Sequence, residues 1–438
     1  MNYKFTLPKT FSVGFGRAPM NPPINTFLAL GGRSTANKDC LMTTCVAVSD
    51  GADVVLLYHM DMKETPRSIF DPCADMIEEA LGISRKNIIM TSTHTHASPH
   101  TTVNIEENKI WRETLKVAVL NAAKEAVADF APAKMYIAKE NTPAFSFSRR
   151  SLLASGTYKM NARKSDNPLR AETEADPELR TLRFERDGKD DVVMVSWQSH
   201  YGCGGTEVTA DFVHHLRDSL EKDMPVKVAY FNGGSANIST YDHVKGERPY
   251  TYDQIGCGLA EVVKAALKNE EEIESGKIFV QQMDMIGKVK QDSPERQAHA
   301  AEILSVPDGD ERNELMKKYG FDSIHHVYPT HSRAQMGKEY IIPLSAISFG
   351  DFAITANPFE MFDMNCRDIR ECSPYKMTFA CAYSNEHLGY MPPARIFPHG
   401  AYEVTKAFFV PGTADQAVVE TVRMLCENFQ NAKKGEVQ

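Results

Sequence analysis

The sequence predicts an α/β protein that folds as one compact unit. Short apolar runs alternate with amphipathic segments over most of the 438 residues, and there is no fixed-period repeat and no long linker. The 42% hydrophobic and 24% charged residues are typical of an ordinary globular protein. We expect a single domain over residues 1–438 with a charged helical insertion around residues 285–332. Two loosely joined domains that divide near residue 285 are the alternative.

The predicted strands are short runs, many of them rich in Val, Ile, Tyr and Phe, which suit a half-buried pleated surface. They cover residues 11–18, 41–49, 53–60, 87–92, 134–138, 179–186, 192–197, 226–231, 277–283, 341–348 and 352–356. The predicted helices cover residues 66–81, 107–129, 211–222, 252–268, 294–319, 359–371 and 414–430. Thr65-Pro66 and Ser293-Pro294 are plausible helix starts, because proline is favoured in the first turn.

Charge and cysteine content limit the partners and the compartment. The net charge is −9, without a dense Lys/Arg patch, so a nucleic-acid partner is excluded and small molecules or proteins are favoured. No apolar run is long enough to cross a bilayer, and residues 1–9 contain no signal-peptide core. The nine scattered cysteines form no C-x-x-C pair, which favours reduced thiols. We expect a soluble, cytoplasmic protein and leave a homo-oligomer open.

Two histidines follow the predicted strand 87–92, in Thr93-His94-Thr95-His96. Neutral imidazole is the commonest transition-metal ligand, and alternate residues of an extended chain share one face. His94 and His96 are therefore candidate site residues. A lone His-x-His pair is also common on surfaces and in cores.

Three further segments carry candidate groups. The predicted strand 192–197 leads to His200 in a Gly-rich loop, where Cys203 is either a ligand or a small buried hydrophobe. Asn232-Gly233-Gly234-Ser235 follows another strand, and it either presents N–H groups to an oxyanion or forms a plain turn. Glu360 lies in the first turn of the predicted helix 359–371, where a simple capping role is the alternative.

Taken together and in order, the segments resemble the neutral ceramidase family of zinc amidases, over roughly residues 11–430. The resemblance is carried by Val13–Ala18, Thr93–Pro99, Ser148–Ser151, Trp197–His200, Ala210–Asp211, Ala236–Ser239, Phe359–Glu360 and Asn385–Tyr390. It implies a catalytic domain of mixed β-sheets flanked by helices, without the family's C-terminal immunoglobulin-like domain.

The resemblance also implies roles for individual residues. It implies a zinc ion held by His94, His200, Glu360 and Tyr390, with His96 and Arg150 at the scissile carbonyl or its oxyanion and Ser239 as the active-site serine. Ligands from distant segments, without clustered cysteines, fit a catalytic rather than a structural zinc. Tyr390 would then serve both the metal and the oxyanion.

The expected activity is zinc-dependent hydrolysis of an N-acyl (amide) bond in a small molecule that is smaller or more polar than ceramide. Metal-activated water is the expected nucleophile, oriented by Ser239; the serine itself is the alternative. An esterase or lactonase with the same metal is a second reading, and a non-catalytic metal- or ligand-binding homologue is a third, because Ala236-Asn237 and Thr240 depart from the family pattern. Arg163, Lys164 and Arg170 either bind an acidic substrate or form a solvated basic loop.

Overall fold

Two β-sheets pack face to face at the centre of the protein, in a computed structural model that describes residues 3–202 and 204–436. The strands are β1 (Ser12–Pro19), β2 (Ala36–Asn37), β3 (Met42–Ser49), β4 (Val54–Met60), β5 (Ile88–Ser92), β6 (Ala131–Asn141), β7 (Phe147–Ser148), β8 (Arg150–Leu153), β9 (Tyr158–Met160), β10 (Pro168–Ala171), β11 (Glu178–Arg186), β12 (Asp191–Trp197), β13 (Glu207–Val208), β14 (Val226–Asn232), β15 (Ile238–Ser239), β16 (Glu271–Ile273), β17 (Ile278–Lys288), β18 (Glu339–Phe349), β19 (Phe352–Ala356), β20 (Glu360–Met361), β21 (Met377–Cys381) and β22 (Tyr390–Met391).

Ten α-helices lie within the described residues, and none combines the length and apolar character needed to span a bilayer. They are α1 (Arg67–Leu81), α2 (Glu106–Ala128), α3 (Phe212–Asp223), α4 (Tyr252–Ala266), α5 (Pro294–Ser305), α6 (Asp310–Lys318), α7 (Ile324–Met336), α8 (Asp363–Cys372), α9 (Ala401–Lys406) and α10 (Thr413–Glu436).

Both sheets are mixed. The larger has the order β14-β12-β11-β6-β1-β3-β4-β5, with β16 paired to β6, and only β12–β14 and β4–β5 are parallel pairs. The smaller has the order β17-β18-β19-β21, and β19–β21 is its parallel pair. The inner faces of the two sheets share one apolar core, which includes Val46 and Phe184 from the larger and Phe352 and Phe379 from the smaller. The predicted α/β class is therefore confirmed.

Helices cover the outer faces of the sheets. The helices α1 to α4 pack on the larger sheet, whereas α8 and α10 pack on the smaller. The approach of α2 to β1 depends on two glycines, because a Cβ on Gly14 or Gly16 would lie only 1.9 or 2.1 Å from a helix carbonyl oxygen. This packing explains the Gly14-Phe15-Gly16 sequence in the first strand.

The larger sheet curls until its two edges meet. The backbone N–H of Tyr230 on β14 donates to Nδ1 of His59 on β4 (3.2 Å). Arg217 of α3 donates to the buried carboxylate of Asp61, just after β4 (2.7 Å). The chain segments that leave β5 and β14 are consequently neighbours, although their strands lie at opposite ends of the hydrogen-bonded order.

All eleven predicted strands are present with small shifts at their ends. Two helix predictions are wrong. The predicted helix 294–319 is two helices, α5 and α6, because Pro307 lacks a backbone N–H and Gly309 adopts a φ of 153°. The predicted helix 359–371 begins later, at Asp363, and Glu360 lies on the short strand β20. A capping role for Glu360 in a first helical turn is therefore wrong.

The charged segment around residues 285–332 contains α5, α6 and the first part of α7. These helices have their own small core of Ala300, Ile303, Phe321 and Val327. The guanidinium of Arg333 on α7 donates to the carbonyl of Ala407 just after α9 (3.3 Å). The charged segment is therefore joined through α7 to the α9 segment, which forms part of the site described below.

Candidate metal centre and its cavity

The candidate site lies where the parallel strand pairs end. His94 and His96 follow β5, His200 follows β12, and Glu360 and Tyr390 lie on the paired strands β20 and β22. Hydrogen bonds join these chain segments: the backbone N–H of Ser92 donates to the carbonyl of Tyr383 (3.2 Å) after β21. Strand ends are where α/β proteins place their ligand sites.

Three imidazoles form one cluster. His94, His96 and His200 each place a ring nitrogen within 4.8 Å of the others, and within residues 3–202 and 204–436 no other three His, Cys, Asp or Glu residues do so. Nε2 of His94 lies 3.1 Å from Nε2 of His96. The three ring centroids are 4.7 to 4.9 Å apart. The structure thus brings together the three histidines that the sequence indicated.

The backbone of His94 does not follow the expected geometry. Its φ is 69°, in the left-handed region. The extended backbone from which we predicted that His94 and His96 share one face is therefore wrong at His94. Tyr383, whose φ is 54°, stacks on the His94 ring at a centroid distance of 4.0 Å. Uncommon backbone conformations of this kind concentrate at functional sites, where the surrounding structure holds them.

Backbone carbonyls fix the tautomers of two of the histidines. Nδ1 of His94 contacts the carbonyl oxygen of Lys63 (2.7 Å), and Nδ1 of His200 contacts that of Ser235 (3.2 Å). A carbonyl oxygen only accepts, so Nδ1 carries the proton in both rings and Nε2 keeps a free lone pair. Metal-binding histidines are usually oriented in this way.

The cluster is neutral in the metal-free protein. Burial lowers the pKa of all three histidines, and for His94 and His200 the positive charge of a neighbouring protonated ring would lower it further. The pKa of His96 falls to about 3, through burial and then the charges of Lys63 and Arg149. Neutral imidazoles are the form that binds metal ions.

Glu360 and Tyr390 complete the polar set. Oε2 of Glu360 is buried, has no hydrogen-bond partner among the described residues, and lies 3.6 Å from Nε2 of His94. Glu360 and Tyr390 are register partners across the parallel β20–β22 pair. Burial, and then the charge of Glu360, raises the pKa of Tyr390 well above its usual range. Its hydroxyl is 3.2 Å from Nη2 of Arg149.

These groups fit a divalent metal ion. Two ligand atoms at about 2.0–2.1 Å from a tetrahedral zinc ion lie about 3.3–3.4 Å apart. The 3.6 Å between Nε2 of His94 and Oε2 of Glu360 is close to that separation. A buried carboxylate oxygen without a hydrogen-bond partner, such as Oε2 of Glu360, is unfavourable without a cation. The buried histidine cluster could therefore hold a metal ion.

Arg149, rather than its neighbour Arg150, lines the cavity at the cluster. The Arg150 guanidinium is fully buried and ion-pairs with Glu172 and with Glu403 (2.5 Å to the latter). Arg149 also pairs with Glu403 (2.9 Å), which leaves its Nη2 on the Tyr390 hydroxyl. The resemblance implied a substrate contact for Arg150, whereas the arginine that lines the cavity is Arg149.

The loop that carries Ser239 is fixed by Asn237. The Asn237 amide donates to the Asp363 carboxylate (2.6 Å) and accepts from the Asp363 backbone N–H (2.8 Å). An aspartate at position 237 would place two carboxylates together, which explains one departure from the family pattern. Ser239 lines the cavity, and its Oγ accepts from the N–H of Tyr241 (3.0 Å).

The Gly233-Gly234-Ser235 turn supports the ligands from behind. The N–H of Gly233 donates to the Trp197 carbonyl, so this group is not available to an oxyanion. The Ser235 carbonyl holds His200, and its hydroxyl lies 2.6 Å from that of Tyr383. The Gly233 N–H and the Ser235 carbonyl and hydroxyl are thus bonded within the fold, as the plain-turn alternative predicts.

A cavity of about 540 Å³ opens beside the cluster. Its described lining residues are Leu30, His96, Arg149, Met160, Asn161, Ala162, Arg163, His200, Tyr201, Gly202, Ser239, Tyr241, His243, Arg248, Tyr390 and Tyr402. Cys203, considered as a ligand from the sequence, lies outside the described residues. The volume is in the range of small-molecule sites.

Sequence reasoning missed several charged groups around the cluster. Lys63 and Glu64 are ion-paired (3.1 Å), and Glu64 lies 3.4 Å from Nε2 of His387. His387 in turn lies 3.9 Å from Glu360. Lys63 and Glu64 follow β4 in a polar stretch without a recognisable pattern, so only the closing of the sheet edges shows their role. His387 was within the Asn385–Tyr390 segment but had no role assigned.

Comparison with solved structures identifies two similar folds. The crystal structure of neutral ceramidase from Pseudomonas aeruginosa matches with a TM-score of 0.73 and 14% identity, covering 96% of this chain and 74% of that chain. A structure of ceramidase complexed with C2 matches with a TM-score of 0.72 and 13% identity, covering 96% and 75%. No protein-family model and no curated protein matches the chain. The chain has a neutral-ceramidase-like fold, and the predicted resemblance is confirmed at the level of the fold.

Proposed function

We propose that this protein is a zinc-dependent hydrolase of N-acyl (amide) bonds in small molecules. One observation carries the proposal: three neutral imidazoles, of which those of His94 and His200 are buried, and an unpaired buried carboxylate oxygen converge beside an open cavity. The ceramidase-like fold supports the same chemistry, since both similar structures are ceramidases. The proposed zinc ligands are His94, His200, Glu360 and Tyr390.

When bound, zinc supplies Lewis acidity and an activated water at neutral pH. The chain's own residues prepare the site for that chemistry. The carbonyls of Lys63 and Ser235 hold two imidazoles in the tautomer that leaves Nε2 free. Burial lowers the pKa of the third imidazole, that of His96, so this ring is neutral, and we propose that it hydrogen-bonds the scissile carbonyl or its oxyanion.

The developing oxyanion needs donors that are already in place. The Arg149 guanidinium is held by Glu403 on one side and reaches the Tyr390 hydroxyl on the other (3.2 Å). It therefore offers an oriented positive charge with little freedom to reorganise, which is the arrangement that stabilises acyl-transfer transition states. Ser239, on the opposite loop, is proposed to orient the attacking water by a hydrogen bond.

Elemental analysis and a substrate panel test the proposal. We expect about one zinc per chain, and turnover of some N-acyl amides that a chelator abolishes and zinc restores. His94→Ala should lose the metal and the activity together, whereas His326→Ala, in the insertion, should keep both. Turnover confined to esters or lactones would replace the amidase by an esterase or lactonase. Bound zinc without any turnover would indicate a binding protein, and absence of zinc from the intact protein would overturn the proposal.

A further inference from the structure

The cavity wall is positively charged, although the chain as a whole carries a net charge of −9. Three arginines line the cavity, and among its described lining residues none is Asp or Glu. The charge of Arg149 is balanced by Glu403. The two others, Arg163 and Arg248, are exposed at the outer part of the cavity, and no carboxylate oxygen of the described residues lies within 4.0 Å of either guanidinium.

The two arginines come from different loops that interlock. Arg163 follows β9, whereas Arg248 lies in the loop between β15 and α4. Nδ1 of His243, in the second loop, donates to the Ala162 carbonyl of the first (3.2 Å). The Arg248 guanidinium donates to the Gly202 carbonyl (3.2 Å), two residues after the candidate ligand His200. The Arg248 guanidinium is therefore held beside the His200 loop, and Arg163 lies on the loop that the His243 contact joins to it.

Two acidic side chains of the same loops pair with lysines. Asp166 pairs with Lys159 (2.7 Å), and Asp242 pairs with Lys245 (3.7 Å). The cavity's outer wall consequently has two guanidinium groups without a bound counter-charge. Clefts lined by one sign of charge concentrate ligands of the opposite sign, and guanidinium groups bind carboxylates or phosphates with paired hydrogen bonds.

A neutral hydrogen-bond acceptor lies in the same wall. His243 is buried, and its Nε2 has no partner among the described residues. Its Nδ1–H is used by the Ala162 carbonyl, so Nε2 is an acceptor. Burial lowers the pKa of His243, and the charges of Arg149 and Arg248 lower it further. An orphaned buried acceptor suits an N–H or O–H group of a ligand.

We propose that the substrate of this site carries an anionic group, a carboxylate or a phosphate, which Arg163 and Arg248 bind at the outer end of the cavity. The inference rests on the proposed function and narrows it to charged N-acyl compounds, of which N-acyl amino acids are the simplest. Their amide N–H and carboxylate supply one donor and one anion on either side of a single carbon atom. A neutral N-acyl amino alcohol would leave both guanidinium groups without a ligand.

Matched substrates test the proposal with the zinc-loaded protein. N-hexanoylglycine carries the charge on the amine side, N-methyladipamate carries it on the acyl side, and O-phospho-N-hexanoylethanolamine replaces the carboxylate by a phosphate. N-hexanoylglycinamide is the neutral control of the same length. We expect kcat/KM for at least one anionic substrate to exceed that for the control by about 10-fold or more, as expected for charge-assisted hydrogen bonds. Added salt should reduce this preference.

Variants of the two arginines test whether these side chains cause the preference for anionic substrates. Arg163→Met and Arg248→Met should each reduce the preference for the anionic substrate by about 10-fold and change kcat/KM for N-hexanoylglycinamide less than 2-fold. Arg170→Met is the matched control, because Arg170 is exposed on β10 and does not line the cavity. Equal or faster hydrolysis of the neutral amide, or an equal effect of Arg170→Met, would overturn the anion site while leaving the amidase intact.

Binding gives a readout that does not need turnover. In calorimetric titrations of adipate into the zinc-loaded protein, we expect Arg248→Met to weaken binding by about 10-fold relative to wild type and to Arg170→Met. Adipate binding that is equal in the three proteins would overturn the anion site. If adipate binding depends on Arg248 but no amide, ester or lactone is hydrolysed, the anion site stands and the proposed hydrolase fails.

Discussion

Replacement of Arg150 by methionine separates a structural role from a catalytic one. Arg150 is fully buried, and its partners Glu172 and Glu403 are 3% and 0% exposed. Together with Arg149, these side chains form a cluster of two guanidinium groups and two carboxylates, and Nδ1 of His399 also contacts Glu172 (2.7 Å). The Arg150→Met variant would remove one guanidinium from this cluster and leave two carboxylates beside one.

The loss of stability in Arg150→Met follows from the burial of this ion-pair cluster. Removing one partner of a buried ion pair destabilises a protein by about 3–5 kcal/mol. With an unfolding entropy of about 2.1 cal/mol/K per residue, that loss lowers the Tm by roughly 3–5 °C for a chain of this length. Because Arg149 keeps its bond to Glu403, kcat should fall less than about 10-fold, well below the loss of about 10²–10³ expected on removing an oxyanion donor.

Urea unfolding followed by tryptophan fluorescence measures the stability, since both tryptophans of the chain, Trp111 and Trp197, are fully buried. Arg150→Lys should restore part of the loss, because lysine keeps the charge but not the paired geometry. Arg163→Met is the surface control and should stay within about 0.5 kcal/mol of wild type. An Arg150→Met protein as stable as wild type, with kcat reduced more than 100-fold, would refute the structural role and restore the substrate contact that the resemblance implied.

Three further predictions concern the site and the closed sheet. Glu360→Gln should weaken zinc binding by roughly 100-fold or more, measured by competition with a chromophoric chelator; unchanged affinity would remove Glu360 from the ligand set. Ser239→Ala should lower kcat only partly, less than the roughly 10²–10³-fold expected for Arg149→Met; complete loss would indicate a serine nucleophile. The third concerns His59, whose pKa burial lowers well below its usual range. Below about pH 6.5 the unfolded chain binds a proton at His59 that the folded chain does not bind. The free energy of unfolding therefore decreases as the pH is lowered, by about 2 kcal/mol from pH 7 to pH 5. In the metal-free protein, the free energy of unfolding of His59→Gln should decrease by about 2 kcal/mol less than that of wild type between pH 7 and pH 5. An equal decrease in both proteins would contradict this reasoning.

Much of the fold was predictable because strand signals are local. Runs such as those of β3, β4 and β12 are nearly continuous apolar segments, and burial on both faces requires them to be so. The small strands β20 and β22, by contrast, have two residues each and no pattern of their own. They form only because α8 and the smaller sheet bring them together, so Glu360 was wrongly predicted to be helical.

The site residues likewise divide into those that local sequence indicated and those that only tertiary packing revealed. His94, His96, His200 and Glu360 were predictable as candidates because the residue types and their order along the chain carry the chemistry. The choice between the adjacent arginines was not, because alternation along a strand allows either side chain to face the cavity. Both arginines pair with Glu403, about 250 residues later, and Arg150 alone is also paired with Glu172. The same holds for Arg163 and Arg248, which form one charged wall only through the contact of two loops.

Hydrophobic period and side-chain chemistry are properties of short segments. The amino-acid order was therefore enough to predict the alternation of strands and helices, the neutral-ceramidase-like fold and the chemical types of the candidate ligands. Which of these groups meet depends on how distant segments pack. The curling of the larger sheet brings the ends of β5 and β12 together, and burial there keeps the imidazoles neutral and leaves one carboxylate oxygen of Glu360 unpaired. These are consequences of long-range packing, which no local pattern encodes.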